Sequence, residues 1–251
     1  MLGSGSSGNS TLVATARTRL LIDAGLSRRE ILARLAAAGE DPEHIDAILV
    51  THEHTDHVAG LPVLARTLGA PVFLTRLAAP AICWNGLEPA IETFQAGSRL
   101  VIGDIEIDTF TIPHDAIDPV GYSFRSQGLK IGLVTDLGYI PDSIRFHLQG
   151  TDLLVLESNH DLEMLKVGPY PWPVKQRVMS RVGHLSNETV CEFIQQDLDP
   201  ATRTLVLGHL SEHNNHPSIV RLGAAQALAK RGIETRLVIA ERHAPTEVFQ
   251  L

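Results

Sequence analysis

The chain has 251 residues, of which 44% are hydrophobic and 5% aromatic, with a formal net charge of −8 at pH 7. This length can bury a sizeable core, so we predict one domain over residues 1–251, and the negative charge argues against a broadly basic surface that coats nucleic acid. No apolar run is long enough for a membrane span, no signal peptide is recognisable and only Cys83 and Cys191 occur, so we expect a cytoplasmic protein without disulfides or membrane association.

The first segment, residues 3–10, consists almost entirely of glycine and serine. One interpretation is an artificial linker. The alternative is a turn that lines a cleft, because small residues let backbone N–H groups approach an anion closely. We favour the turn, since a β-like run follows at once, and we predict that Ser6, Ser7 and Asn9 contact the substrate.

The first half of the chain alternates short apolar runs with helical patterns. Ser27 and Glu30 form a capping box for a helix that Gly39 ends. Trp84 is expected in the core, and residues 94–112 are expected to form a hairpin or meander around Gly97 and Gly103. The other predicted elements are strands at 11–14, 19–22, 45–50 and 71–74 and helices at 58–68 and 77–84.

The stretch Thr51-His52-Glu53-His54-Thr55-Asp56-His57 follows the buried strand at 45–50. In an extended segment residues two apart project to one side, so His52, His54 and Asp56 can converge, with His57 beside them in the first helical turn. Imidazole and carboxylate groups suit divalent metals, and four such groups are more than one ion needs. The spacing predicts two metal ions; a polar loop with surface histidines would not account for it.

Three further polar residues each follow a predicted strand of the remaining chain. His114 follows the strand at 107–112, Asp136 follows the strand at 130–134, and His209 follows the strand at 204–207. A lone histidine after a strand is usually a solvated loop residue, but three such positions after the histidine stretch favour metal ligands. The other predicted elements are strands at 122–124, 152–156 and 236–239 and a helix at 219–231.

These residues resemble the motifs of the metallo-β-lactamase superfamily. The resemblance implies an α/β (α+β) four-layer αβ/βα sandwich. It implies that Asp23 lies below the metals and fixes the histidine stretch by hydrogen bonds. It also implies one metal on His52, His54 and His114, a second on Asp56, His57 and His209, and Asp136 bridging the two.

Several flanking motifs narrow the resemblance to the YycJ-like branch, also called WalJ-like. That branch implies a DNA-directed exonuclease or phosphodiesterase. One position departs from its pattern, because His213 rather than an acidic residue precedes Asn214-Asn215. The motifs that carry the resemblance are residues 4–9, 51–57, 157–161, 170–172, 174–175, 183–187 and 209–211.

Residues 162–184 carry four basic residues and one acidic residue in an otherwise acidic chain. Tyr170 and Trp172 lie among these cations, and the neighbouring prolines are expected to keep the segment extended. Cations for phosphates and aromatic faces for bases suit a single-stranded end, so Tyr170, Trp172, Lys175 and Arg177 are candidate substrate contacts. The alternative is that the two aromatic residues only pack this segment onto the core.

His184, in Gly-His-Leu-Ser, is the candidate general acid, because the motif resembles one in the tRNA 3′-end processing endonucleases of the superfamily. A histidine pKa lies near operating pH, as such a role requires. The alternative is a histidine that only precedes a helix at 187–196, capped by Ser186. His160 and His213 either line the cleft or are ordinary loop histidines.

Three functional hypotheses follow. In the first, two metal ions, zinc or manganese with iron as a further candidate, hold a bridging hydroxide that cleaves phosphodiesters at DNA ends or in single-stranded segments. Asp56 would orient the water and His184 would protonate the leaving oxygen. In the second, the same site hydrolyses a small ester, lactone or cyclic phosphodiester. The third, an inactive scaffold, is disfavoured because every ligand position is filled, and no protein partner is deduced.

Overall fold

The apolar runs of the first half form a five-stranded sheet in the computed structural model, which describes residues 1–251. Its strands are β1 (Thr11–Ala14), β2 (Arg19–Ile22), β3 (Ala47–Leu49), β4 (Val72–Thr75) and β5 (Ile91–Phe94), in that order. β1 and β2 are antiparallel, whereas β2 to β5 are parallel. β3 is buried along its whole length, as its continuous apolar sequence predicts.

Helix α1 (Arg28–Ala37) begins at the predicted cap. The hydroxyl of Ser27 accepts the N–H of Glu30 at 3.3 Å, and Gly39 follows the helix with φ +81°. Ile31 and Leu35 are fully buried in the core that also contains Ile48 of β3 and Trp84. The capping box and the core position of Trp84 are therefore confirmed.

The helix predicted at 58–68 is two helices, α2 (Thr55–Val58) and α3 (Leu61–Leu68). The N–H of Gly60 donates to Ala24 at 2.8 Å, and the carbonyl of Asp56, its partner in a continuous helix, accepts the N–H of Asn9 at 2.8 Å. A Cβ at Gly60 would also overlap the carbonyl oxygen of Leu26. Tertiary hydrogen bonds therefore replace the helical one, which apolar periodicity does not reveal.

The hairpin predicted around Gly103 is confirmed. β6 (Arg99–Ile102) and β7 (Ile105–Thr111) pair antiparallel, and Gly103 adopts φ +57° between them. The helix predicted at 77–84 is wrong, because only a 3₁₀ turn at Ala79–Ala81 forms there. Pro80 removes a backbone N–H from this short segment, which limits its helical hydrogen bonding.

The second half of the chain is built around strands in the order β12-β11-β10-β9-β8. β8 and β9 form a hairpin, in which Gln127 and Gly128 both adopt positive φ, as a two-residue type I′ turn requires. β9 to β12 are parallel, so their carboxyl ends meet at one edge. The strands are β8 (Val120–Ser126), β9 (Leu129–Val134), β10 (Leu153–Glu157), β11 (Thr204–Gly208) and β12 (Arg236–Ile239).

Five helices accompany these strands. They are α4 (Asp142–Leu148), α5 (Leu162–Val167), α6 (Trp172–Val178), α7 (Asn187–Gln196) and α8 (Pro217–Arg231). α7 has the predicted bounds, and the hydroxyl of Ser186 accepts the N–H of Thr189 at its start. The extended conformation predicted around Trp172 is wrong, because α6 begins there; Pro171 and Pro173 sit at its cap and first turn, where proline is tolerated.

The chain divides into two compact units. Unit 1 comprises Met1–Thr111, Ala116–Val120 and Glu241–Gln250, and unit 2 comprises Ile112–Asp115, Gly121–Ala240 and Leu251. The α/β class is confirmed, and the single domain over 1–251 stays a prediction. None of the helices combines the length and the apolar character needed to cross a bilayer.

Gly25 offers a test of the close packing after β2. A Cβ at this position would overlap the carbonyl of Asp56, which belongs to the histidine stretch. We expect Gly25→Ala to lower the free energy of unfolding by at least about 2 kcal/mol, because backbone must move. Ala33→Gly on the exposed face of α1 is the control and should cost about 1 kcal/mol from helix propensity alone. Urea unfolding that gives equal values for both would contradict this packing.

Candidate metal centre

The histidine stretch of unit 1 leaves the end of β3 and enters α2. The ring of His52 lies 4.7 Å from the ring of His54 and 4.1 Å from the ring of His57, measured between centroids. His52 and His57 are buried, and Oδ2 of Asp56 lies 3.6 Å from Nε2 of His57. The four side chains predicted to converge from this stretch therefore lie together.

Asp23 fixes this stretch from below, as the resemblance implies. Its carboxylate accepts the N–H of Thr51 at 2.8 Å and the hydroxyl of Thr51 at 2.9 Å, and it lies 2.8 Å from Nδ1 of His57. Asp23 is buried and adopts φ +60°. A buried carboxylate is stable only when its lone pairs are satisfied, so these contacts fix the orientation of His57.

Thr51 is a positioning residue that the sequence reasoning missed. Its hydroxyl lies 3.0 Å from Nδ1 of His52 and 3.2 Å from Nδ1 of His57, in addition to its bond to Asp23. A hydroxyl can donate to a carboxylate and accept two N–H groups. The position of Thr51 in the sequence, between a buried strand and the first histidine, could have indicated this positioning role.

The glycine and serine segment is a turn packed against the same stretch, not a linker. The amide oxygen of Asn9 accepts the N–H of Gly5 at 2.8 Å, and its nitrogen lies 3.0 Å from Nε2 of His57 and 3.3 Å from Oδ2 of Asp56. Asn9 is buried and contacts the histidine stretch, and its contact with substrate stays a prediction. Ser6 and Ser7 are exposed, and their contact with substrate stays a prediction.

In unit 2 the polar residues lie at the carboxyl ends of adjacent parallel strands. Asp136 follows β9, Glu157 ends β10 and His209 follows β11, and Glu157 pairs in register with Gly208. Asp136 and His209 adopt φ +62° and +54°. Positive φ is uncommon for residues other than glycine and persists where the surrounding structure enforces it, often at functional sites.

Glu157 organises this edge, and the sequence reasoning did not name it as a site residue. Its Oε1 lies 2.8 Å from Nδ1 of His184 and 2.6 Å from Nδ1 of His209, while Oε2 accepts the N–H groups of Leu137 and Leu185. The ligand atoms of Asp136, Glu157, His184 and His209 all lie within 4.8 Å of one another. The two Nδ1 atoms face Glu157, so this group forms a hydrogen-bonded cluster around the carboxylate.

The charges of this cluster shift its protonation equilibria. Burial would raise the pKa of Glu157, but the charges and hydrogen bonds of the two histidines lower it to about 2. Burial would lower the pKa of His184, but the charge of Glu157 and the hydrogen bond to it raise it overall. His184 is therefore favoured as a cation beside a carboxylate that stays ionised.

His114 lies in unit 2 beside the loop that carries His184. Its Nδ1 lies 3.2 Å from the carbonyl oxygen of Gly183, and its ring centroid lies 5.2 Å from that of His184. Burial lowers the pKa of His114, which keeps the imidazole neutral as a metal ligand must be. Asp115, the next residue, forms an ion pair with Arg177.

The histidines fit the role of metal ligands in one testable respect. A ligating imidazole usually directs its second ring nitrogen to a carboxylate, a carbonyl or another acceptor. Nδ1 of His52, His57, His114 and His209 each has such a partner, as described above. Nε2 is therefore the nitrogen that each of them would present to an ion.

The predicted substrate contacts of residues 170–177 differ in exposure. Trp172 is 59% exposed, and Arg177 is also exposed although it pairs with Asp115. Lys175 is buried and its ammonium donates to the carbonyl of Lys166 at 2.7 Å, and its contact with substrate stays a prediction. Tyr170 is half-buried, and its ring meets that of His213 edge to face at 5.9 Å between centroids.

His160 is buried rather than lining a cleft. Neither ring nitrogen has a hydrogen-bond partner in the protein, and burial lowers its pKa to about 4. His160 is therefore neutral at physiological pH.

Comparison with known proteins agrees with this fold and these residues. Residues 18–210 match the family model of the beta-lactamase superfamily domain. The chain therefore belongs to the metallo-β-lactamase superfamily, as the motifs predict. Membership and the buried histidine and aspartate cluster together indicate divalent metal ions.

Within the superfamily, the chain is 38% identical over 240 residues to exodeoxyribonuclease YycJ of Bacillus anthracis, which covers 92% of this chain and 89% of that protein. This similarity confirms the YycJ-like branch. The structure resembles the metallo-beta-lactamase fold protein YhfI from Bacillus subtilis, with a TM-score of 0.72, 18% identity and coverage of 97% and 94% of the two chains. It also resembles Zn(2+)-bound PqqB from Methylobacterium extorquens, with a TM-score of 0.70, 17% identity and 98% coverage of each chain. These likenesses confirm the predicted fold.

Asp23 can be tested without any assay of turnover. We expect Asp23→Ala to weaken binding of divalent metal by roughly 10- to 100-fold, because His57 and Thr51 lose the acceptor that orients them. Titration of the metal-depleted chain, followed by elemental analysis, measures this change. The control is Asp104→Ala, since Asp104 also accepts from two threonine hydroxyls in unit 1 but lies at the β6–β7 turn. Equal metal affinities for the two variants would contradict the role of Asp23.

Proposed function

We propose that the chain is a metal-dependent nuclease of the phosphodiesterase class that acts as an exonuclease on DNA ends. The observation that carries the proposal is the set of buried histidines whose Nδ1 atoms are held by acceptors. The relationship to a protein named exodeoxyribonuclease supports the substrate. DNA, as ends or single-stranded segments, is the proposed partner, and a cytoplasmic location stays a prediction.

The proposed ligand set is the one that the superfamily resemblance implies. Imidazole and carboxylate donors without thiolate suit zinc, manganese or iron. The donor set therefore supports two divalent ions without selecting among these metals. The proposed ligands are His52, His54 and His114 for one ion, Asp56, His57 and His209 for the other, and Asp136 for both.

When bound, the two ions would lower the pKa of an attacking water and neutralise phosphoryl oxygens. The side chains of the protein would position the attacking water and the ligand His57. Asp56, held beside Asn9 and His57, is placed to orient the water. Asp23 and Thr51 prevent His57 from rotating.

His184 is the proposed general acid. With Nδ1–H donated to Glu157, a protonated His184 has its Nε2–H left for the oxygen that leaves the phosphorus. Glu157 stabilises this cation and fixes the ring, which makes it a positioning residue. The alternative interpretation of His184 as a residue that only precedes α7 is not exclusive, because Ser186 caps that helix independently.

One observation favours a smaller substrate as the second candidate. Three of the four basic residues of the segment 162–184 are already engaged, since Lys175 bonds to a carbonyl, Arg177 pairs with Asp115 and Lys166 pairs with Glu163. A small ester, lactone or cyclic phosphodiester would need fewer free cations. Hydrolysis of end-labelled DNA, bis-p-nitrophenyl phosphate and a nitrophenyl ester by one preparation separates the candidates. Activity on the ester alone would overturn the proposed nuclease.

Loss of a proposed metal ligand should abolish turnover. We expect His52→Ala and Asp136→Ala to reduce DNA hydrolysis by at least about 1,000-fold, because metal-assisted attack supplies several kcal/mol of transition-state stabilisation. Elemental analysis should show fewer ions per chain in both variants. The control His44→Ala, at an exposed histidine, should retain activity and metal. A His52→Ala protein that degraded DNA at the native rate would refute the ligand assignment.

The role of His184 predicts a dependence on the leaving group. We expect His184→Ala to slow DNA hydrolysis by roughly 100- to 10,000-fold. Hydrolysis of bis-p-nitrophenyl phosphate should be affected much less, because nitrophenolate departs without protonation. Parallel rate measurements on both substrates test this expectation, and Glu157→Gln should show the same selectivity. Equal losses on both substrates would indicate that His184 acts on the metal centre or on folding instead.

A further inference from the structure

Helix α6 is tied to the candidate centre at its carboxyl end. Arg177 pairs with Asp115, which directly follows His114, and the carbonyl of Val178 accepts the N–H of His184 at 2.9 Å. A Cβ at Gly183 would overlap the carbonyl of Val178, so the loop of His184 and the end of α6 touch backbone to backbone. The direction of α6 is therefore fixed relative to His184.

The other end of α6 presents an aromatic side chain to solvent. Trp172 is 59% exposed, whereas most of the aromatic residues in unit 2 are buried or half-buried. Pro171 and Pro173 flank it and restrict the backbone on both sides. An exposed tryptophan on a rigid backbone loses little conformational entropy when a flat partner stacks on it.

The length of α6 sets the distance between Trp172 and the residues around His184. Val178 lies six positions after Trp172, which corresponds to about 9 Å along the helix axis at about 1.5 Å per residue. Stacked bases repeat at about 3.4 Å, so this distance spans roughly two to three nucleotides. Arg177 directly precedes Val178 and is exposed, with its guanidinium paired to Asp115.

We propose that Trp172 is a stacking platform for a base two to three nucleotides from the scissile phosphodiester of a single-stranded end. This inference rests on the proposed function and adds a requirement for substrate length. The occupant is single-stranded DNA because the similarity to a protein named exodeoxyribonuclease supports a DNA substrate, and base stacking on an exposed aromatic side chain is independent of sequence. Tyr170 is not the platform, since its ring is half-buried against His213.

The chain has only two tryptophans, which makes the proposal directly observable. Trp84 is 8% exposed and Trp172 is 59% exposed, so acrylamide-accessible fluorescence reports almost entirely on Trp172. Oligothymidylates of two, four and eight nucleotides are titrated into the His52→Ala chain, which binds without cleaving. We expect quenching with four and eight nucleotides, little with two, and none in the same chain carrying Trp172→Phe.

Trp172→Ala in the His52→Ala chain should weaken binding of the eight-nucleotide strand about tenfold, the size expected for loss of one base stack. In the otherwise native chain the same substitution should raise KM for that strand about tenfold and change kcat less than twofold. The control is Phe146→Ala, which removes another exposed aromatic residue of unit 2, at 70% exposure, and should leave affinity and KM unchanged. Trp172 is exposed, so thermal unfolding of its variants should match the parent chain.

The possible failures are distinguishable. If the native chain degrades DNA but its emission does not change with any strand, or if Trp172→Ala binds as tightly as its parent, the platform is refuted and the nuclease stands. If strands quench Trp172 but no DNA is degraded, the proposed function fails while the single-strand surface stands. If emission changes with protein concentration alone, Trp172 is covered by a second copy of the chain and the platform is refuted.

Discussion

Two buried carboxylates, Asp23 in unit 1 and Glu157 in unit 2, hold the imidazoles on which the candidate centre depends. Removing a carboxylate from water is expensive unless hydrogen bonds satisfy its oxygens. Asp23 receives Thr51 and His57, and Glu157 receives two backbone N–H groups, His184 and His209. The same contacts therefore satisfy the charge of each carboxylate and orient the histidines, so the protein's own hydrogen bonds hold these imidazoles in place.

Strand ends supply the second constraint. Asp23, Asp136 and His209 each follow a buried strand and adopt positive φ, at 60°, 62° and 54°. This conformation is unfavourable for residues other than glycine and is held by the strands and the hydrogen bonds around them. Backbone conformation and side-chain chemistry are thus specified together at these positions.

The sequence predicts the parts of this structure that depend on local patterns. Continuous apolar runs indicate buried strands, and the polar residues that follow those runs could be recognised as candidate metal ligands. Local sequence patterns do not reveal tertiary hydrogen bonds. The helix break at Gly60 follows from a hydrogen bond to the carbonyl of Ala24, and the buried Lys175 donates to the carbonyl of Lys166. Glu157 directly follows the strand predicted at 152–156, so the pattern that identified Asp136 and His209 could have identified it as well.

In the proposed function, cleavage of DNA requires one pair of divalent ions that seven imidazole and carboxylate groups bind. The most direct measurement is stepwise chelation of the native chain, with metal content and hydrolysis of end-labelled DNA followed in the same samples. Two ions per chain are predicted at full activity, with turnover lost as the first ion leaves. Undiminished hydrolysis of DNA at less than one ion per chain would contradict the account.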